Sequence, residues 1–132
     1  MSRTRVLLAD DHEEFLEVEA KLLEPEFDIT TTARDGKAAF EETTRLRPDI
    51  LVLDITMPIY SGMETARLLR AAGSLAKVVF LTVHGDPDFV RAGFEAGASG
   101  YVVKSRLAAD LIPALREVAA GRQFVSASIY PE

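Results

Sequence analysis

The sequence predicts an α/β protein: a doubly wound, five-stranded parallel sheet with strand order 2-1-3-4-5. Three observations predict it: short, wholly apolar runs of strand length, segments of helical period between them, and repetition of that alternation along a single stretch of 132 residues. Strands alternating with helices imply a parallel sheet covered on both faces. Right-handed crossovers leave two common doubly wound orders, and five strands favour this one.

Each element has its own signal. Arg5 to Asp10 carries Val6, Leu7, Leu8 and Ala9 without interruption, as expected of a strand buried on both sides. Helical spacing follows through Phe15, Val18, Leu22 and Leu23, and Pro25 ends it. Phe27 to Thr32 is β-branched but more polar, which suits an edge strand. Asp35-Gly36 marks a turn, and Ala38 to Leu46 reads as a helix stopped before Pro48. Ile50 to Leu53 and Val78 to Leu81 are further buried runs; between them Met63, Ala66, Leu68 and Leu69 supply an amphipathic helix that ends near Gly73. Phe89 to Glu95 is a weaker helix, because Gly93 inside it costs about 1 kcal/mol relative to Ala. Tyr101 to Val103 is the last strand. A final helix shows Leu111, Ile112, Leu115, Val118 and Ala119 on its apolar stripe, with Pro113 expected in its first turn and Gly121 at its close.

Composition narrows the function. With 48% hydrophobic and 27% charged residues the chain is globular. It has no cysteine, so neither disulfides nor thiolate metal sites arise, which fits a cytoplasmic location. No run approaches the roughly 20 apolar residues of a membrane span, and the N-terminus does not read as a signal peptide. A net charge of −6 argues against this chain gripping nucleic acid by itself.

Ligands of such sheets bind beyond the carboxyl ends of the strands, where the order reverses. Asp10 and Asp11 close the first strand, Asp54 the third, Thr82 the fourth and Lys104 the fifth. Three carboxylates, a hydroxyl and one ammonium are therefore expected on one rim, with Asp54 central. Two carboxylates about 4 Å apart repel by about 4 kcal/mol at an effective dielectric near 20, so the cluster holds a proton or recruits a cation. Hard oxygen ligands favour Mg²⁺ over Zn²⁺. A carboxylate beside that ion can attack phosphorus, while Lys104 and backbone N–H groups offset charge on the phosphoryl oxygens.

Four segments in order carry a family resemblance: Val-Leu-Leu-Ala-Asp10-Asp11-His, Asp-Ile-Leu-Val-Leu-Asp54-Ile-Thr-Met-Pro58-Ile-Tyr-Ser-Gly62-Met, Val-Val-Phe-Leu-Thr82, and Gly-Ala-Ser-Gly-Tyr101-Val-Val-Lys104. Over about Arg5 to Gly121 the chain resembles response-regulator receiver domains of two-component signalling, with a flavodoxin-like fold. The resemblance makes residues 1–121 a receiver domain and 122–132 a C-terminal tail or the start of a linker. It implies Asp54 as phosphoacceptor and Mg²⁺ ligand, Asp11 as a direct Mg²⁺ ligand, Asp10 as a direct or water-mediated one, and Thr56 as donor of a backbone carbonyl to the metal. Thr82 becomes the hydroxyl that reaches for the phosphoryl group, Lys104 its cationic partner, and Tyr101 the aromatic switch. Pro58 and Gly62 match the loop that shapes the pocket. The implied phosphodonor is a sensor histidine kinase or phosphotransfer protein. The implied protein is a switch that assists its own phosphorylation and dephosphorylation, not an enzyme acting on a separate substrate; phosphorylation would favour a partner or a homodimer. Gly-Tyr-Val-Val-Lys-Ser together with Gly121-Arg-Gln-Phe-Val-Ser is similar to receivers that precede a LuxR-type helix-turn-helix domain, which implies transcription control through an output domain; the alternative is a stand-alone receiver acting by protein–protein contact.

One departure stands out: Ser105 follows Lys104 where many receivers have proline, so a cis peptide is not expected there. Taken singly, the same residues have plainer roles. Asp11 would cap the first helix, Thr82 would be an ordinary strand residue, and Lys104 a solvated charge. Tyr101, before phosphorylation, would be half-buried with its hydroxyl in water. Their convergence on one rim favours the receiver reading. His12 and His84 read as surface polar groups, although Thr56 and His84 flank the expected path of a hydrolytic water; Phe89 and Phe94 read as helix packing. A flavin carrier of the same strand order would need a phosphate loop where Asp10, Asp11, Glu13 and Glu14 stand. A haloacid-dehalogenase-like phosphatase would need an acid at Thr56, and a degenerate receiver would lack an acid or the lysine.

Overall fold

The computed structural model describes residues 3–126. In chain order the elements are β1 (Arg5–Ala9), α1 (Glu13–Leu23), β2 (Asp28–Ala33), α2 (Gly36–Leu46), β3 (Ile50–Leu53), α3 (Gly62–Ala71), β4 (Lys77–Thr82), α4 (Pro87–Glu95), β5 (Gly100–Val103), a 3₁₀ turn (Lys104–Arg106), α5 (Leu107–Ala119) and β6 (Phe124–Val125). All strand pairings are parallel, in the order β2-β1-β3-β4-β5-β6. The sheet thus has six strands rather than the expected five. Two residues of β6 are too few to show a strand period in sequence, yet Phe124 and Val125 pair with Gly100 and Tyr101. They fall inside the segment read as tail or linker; residues 127–132 of that segment lie outside the described residues.

Period-two alternation sorts the strand residues onto two cores. Leu7, Leu51, Leu53, Phe80 and Tyr101 pack with residues of α2, α3 and α4, such as Ala39, Met63 and Val90. Val6, Leu8, Val52, Leu81 and Val102 pack with Leu16, Leu23, Leu111 and Leu115 of α1 and α5. Both faces are covered, so the continuous apolar runs need no polar side.

Helix phase departs from expectation in places. On α1 the buried residues are Leu16, Glu19 and Leu23, while Val18 is 51% exposed. Leu16 and Leu23 lie seven residues apart on one face, and Glu19 falls between them. Leu68 and Ala119, counted to apolar stripes, face outward. Pro113 lies well inside α5 and not in its first turn, because the helix already begins at Leu107. It sits on an exposed face, where water can serve the Ala109 carbonyl that Pro113 cannot reach. Among the described residues no helix is long and apolar enough to cross a membrane.

Candidate functional site

Strand register assembles the site. Ala9 pairs with Leu53, and Asp10 and Asp54 are the next residues of those two neighbouring strands. Phe80, two residues before Thr82, pairs with Leu53, and Thr82 pairs with Val103, so Lys104 is the next residue of its strand. Backbone bonds hold the ends: Asp54 N–H donates to the Ala9 carbonyl at 3.1 Å and Asp10 N–H to the Ala33 carbonyl at 3.0 Å. Gly62 lets the loop after β3 fold onto its own strand, since a Cβ there would stand 2.1 Å from the Asp54 carbonyl oxygen. The same closure is fixed by Gly62 N–H donating to the Ile55 carbonyl at 2.7 Å. Within this loop Ile59 adopts φ 71°, a left-handed conformation that costs an L residue roughly 1–2 kcal/mol.

The centre is an ammonium among carboxylates. Lys104 Nζ lies 2.6 Å from Asp10 Oδ2 and 2.9 Å from Asp54 Oδ2, with all three side chains buried. It also stands 4.0 Å above the centroid of the Phe15 ring on α1, a cation–π contact. Burial draws the ammonium pKa down, but the hydrogen bonds of Asp10 and Asp54 outweigh it and hold it above its usual value. Asp54 Oδ1 accepts from the Ile55 backbone N–H at 2.7 Å. Its side chain keeps 7% exposure beside Asp11 at 32%, so the acceptor is recessed and still reachable.

Asp10, Asp11, His12 and Asp54 each offer a ligand atom, all within 4.8 Å of one another. Asp11 does not cap α1. His12 holds the cap position, and its N–H donates to Asp10 Oδ1 at 2.8 Å. The His12 ring, exposed at the surface, lies 3.1 Å from Asp11 and so also stands within the cluster. Its position directly after the acidic pair was the available signal. Asp10 Oδ2 and Asp11 Oδ1 are both buried, the first facing the Lys104 ammonium and the second the His12 ring. Oxygen atoms from three carboxylates gathered within 4.8 Å, with one ammonium beside them, fit a hard divalent cation that retains water.

Around the loop after β4 the rim is built from hydroxyls, an imidazole and backbone groups. Thr82 is fully buried, and its Oγ1 accepts only a long 3.4 Å bond from His84 N–H. Thr56 Oγ1 and His84 Nε2 are 2.9 Å apart, and the His84 ring stacks on Phe89 at 4.4 Å and 14°. Phe89 therefore packs on this loop, whereas Phe94 leans on the core. Tyr101 departs from its expected half-buried pose. Its side chain is fully buried, and its hydroxyl donates to the His84 carbonyl at 2.6 Å. Gly93 makes room for the ring: a Cβ there would meet it at 3.2 Å. Burial, and then the charges of Asp54 and Asp86, push the phenol pKa well up. After Lys104 the backbone turns straight into the 3₁₀ turn, and among the described residues every peptide bond is trans.

The family profile of the response regulator receiver domain matches residues 6–116. The chain belongs to the response-regulator receiver family. This receiver is similar to the transcriptional regulatory protein DegU of Brevibacillus brevis, 34% identical over 126 residues, covering 94% of this chain and 53% of that one. It is also similar to the nitrate/nitrite response regulator protein NarL of Escherichia coli, 32% identical over 128 residues, covering 96% of this chain and 59% of that one. The chain spans about half the length of the curated relatives it matches. Among solved structures it resembles a LuxR-family two-component response regulator from Aurantimonas sp. SI85-9A1, with a TM-score of 0.92 at 36% identity over 97% of this chain and 93% of that one. Receiver domains are phosphorylation-dependent switches of two-component signalling, and the fold described above is theirs.

Proposed function

We propose that Asp54 accepts a phosphoryl group from a phosphohistidine on a sensor kinase or phosphotransfer protein. The observation that supports this reading is the Lys104 ammonium held against both Asp10 and Asp54 at the carboxyl rim. An Asp54 carboxylate oxygen attacks phosphorus and forms an O–P bond. The N–P bond to the donor imidazole breaks, and the imidazole keeps the electron pair. The Ile55 N–H on Oδ1 holds the carboxylate plane fixed during the attack. Lys104 exchanges its contact with Asp54 Oδ2 for a phosphoryl oxygen, where its charge offsets the growing anion. Asp10, Asp11, Asp54 and the Thr56 carbonyl would hold Mg²⁺, which when bound supplies further neutralisation of the phosphoryl oxygens.

The aspartyl phosphate carries roughly −1.5 to −2 charges. The weak 3.4 Å contact between Thr82 and His84 N–H yields easily, so the Thr82 hydroxyl can donate to that group instead. Because Tyr101 is already inside, phosphorylation would hold an existing arrangement of the β4–α4 loop and not create it. The relatives' names point to transcription control, exerted in the cytoplasm through an output region or through pairing of two receivers. Thr56 and His84, 2.9 Å apart on the loops after β3 and β4, would tune how long the phosphate lasts.

The test is intact mass after incubation with acetyl phosphate and Mg²⁺. A gain of one phosphoryl group is expected, lost in Asp54→Asn and in the presence of a chelator. Undiminished labelling of Asp54→Asn would overturn the assignment.

A further inference from the structure

We propose that Ile59 is a specificity contact for the protein that delivers the phosphoryl group, an apolar anchor read by the donor's surface and not part of the chemistry. The inference rests on the phosphoacceptor reading of Asp54 given above.

It starts from a choice of residue that the chain's own fold does not explain. The loop between β3 and α3 is pinned on both sides of Ile59. Gly36 N–H donates to the Pro58 carbonyl at 3.1 Å, and the Ser61 hydroxyl caps α3 by accepting from Glu64 N–H at 3.1 Å. Gly62 is held against Ile55 by the bond already described. Between these anchors the backbone must turn through φ 71° at position 59. Glycine makes that turn without steric cost, and Asn or Asp makes it more readily than most residues. A β-branched side chain is an outlier there. Burial does not compensate, because Ile59 is 66% exposed. A strained residue that gains nothing from its own fold suggests a function outside it.

The reaction identifies the occupant. Asp54 is recessed, and a donor nitrogen has to bring its phosphorus within about 3–3.5 Å of a carboxylate oxygen. Whatever protein carries that imidazole must lie across the loops at the carboxyl ends of the strands. Ile59 stands five residues past Asp54 on one of them, and Val83, 69% exposed, stands on the loop after β4. A small donor such as acetyl phosphate has no surface to lay across these loops, so its transfer should not depend on either side chain. Ile59 therefore separates protein donors from small ones, and its partner is an apolar patch beside the donor histidine.

The experiment uses the full chain with two phosphodonors. One is acetyl phosphate. The other is the autophosphorylated catalytic core of the kinase that transfers fastest to the wild-type chain in a survey of the source organism's sensor kinases. Ile59→Asn relieves the backbone and removes the apolar contact; Ile59→Val keeps a β-branched apolar side chain. For Ile59→Asn the expected results are kinase transfer slower by about tenfold, carried mainly by KM, labelling by acetyl phosphate within about twofold of wild type, and a melting temperature no lower. Ile59→Val should recover most of the transfer. Unchanged kinase transfer in Ile59→Asn would overturn the proposal, as would an equal loss with both donors, which would place the effect in the site itself. A change confined to self-association would assign Ile59 to a second copy of the chain and equally overturn it. Absence of acetyl phosphate labelling in the wild-type chain would instead remove the phosphoacceptor reading on which all this stands.

Discussion

The two halves of the rim are held by different forces. Where β1 and β3 end, Asp10, Asp11 and Asp54 crowd together, and one ammonium, held by Asp10 and Asp54, stands against three carboxylates. Around the loop after β4, a series of bonds without an ion pair links Thr82 to His84, His84 to Thr56, and the His84 carbonyl to Tyr101. The first half carries more negative charge than its fold neutralises, so it answers to cations. The second is closed by shape and hydrogen bonding, so it answers to geometry. A phosphoryl group on Asp54 would touch both: charge for Lys104, an acceptor for Thr82.

The largest test of this contrast is Lys104→Ala. Removing one partner of a buried ion pair costs about 3–5 kcal/mol, because the remaining charges are left uncompensated. In metal-free buffer the denaturant midpoint should fall accordingly, and millimolar Mg²⁺ should restore part of the loss, since a cation bound only by the folded chain stabilises it. In Thr82→Ala the same Mg²⁺ should raise the midpoint only as much as in the wild-type chain, leaving the difference between the two unchanged. An unchanged midpoint in Lys104→Ala would mean the acidic half is not short of positive charge.

Glu19 sharpens the same point. It sits on the inner face of α1, 1% exposed, with Oε2 lacking a hydrogen bond. Burial first, and then the Asp10 charge against the opposing pull of Lys104, push its pKa up to about 8. The folded chain therefore keeps this proton up to about pH 8, while the unfolded chain releases it near the ordinary glutamate value of 4.5. Folded binds more protons than unfolded between those values, so stability falls as pH rises through that window, by at most about 1.4 kcal/mol per pH unit. Glu19→Gln should remove this component of the slope and gain about 2–4 kcal/mol relative to wild type at pH 8. Urea unfolding at pH 5.5 and pH 8 checks it; parallel slopes in the two proteins would show that Glu19 is not held protonated.

These two residues also mark what could be read in advance. Asp10, Asp54 and Lys104 were legible because each directly follows a run of buried strand residues, and the strand order then leaves one rim for all three. Glu19 was not legible because Val18 completed a plausible apolar stripe with Phe15 and Leu22. Only the observed phase of α1 turns the carboxyl inward and Val18 out. β6 escaped because two residues have no period, although it extends the sheet beside Tyr101. The inward pose of Tyr101 depends on contacts from three separate segments: the space above Gly93, the Phe80 ring and the His84 carbonyl. No local pattern encodes such a meeting.

The smallest expected effect separates the halves most cleanly. Tyr101→Phe deletes the hydroxyl that donates to His84 and leaves the ring, 6.1 Å from Phe80, in its place. One neutral hydrogen bond contributes about 0.5–1.5 kcal/mol net, so the loss should be close to 1 kcal/mol. Because the lost bond belongs to the half without an ion pair, the loss should be the same with and without Mg²⁺, unlike that of Lys104→Ala. The double variant then measures the coupling. If charge and shape act separately before phosphorylation, the two losses add within about 0.5 kcal/mol. A larger interaction energy would mean that Lys104 already feels the position of Tyr101 through Val102 and Val103, and the division of the rim into a half with an ion pair and a half without one would fail.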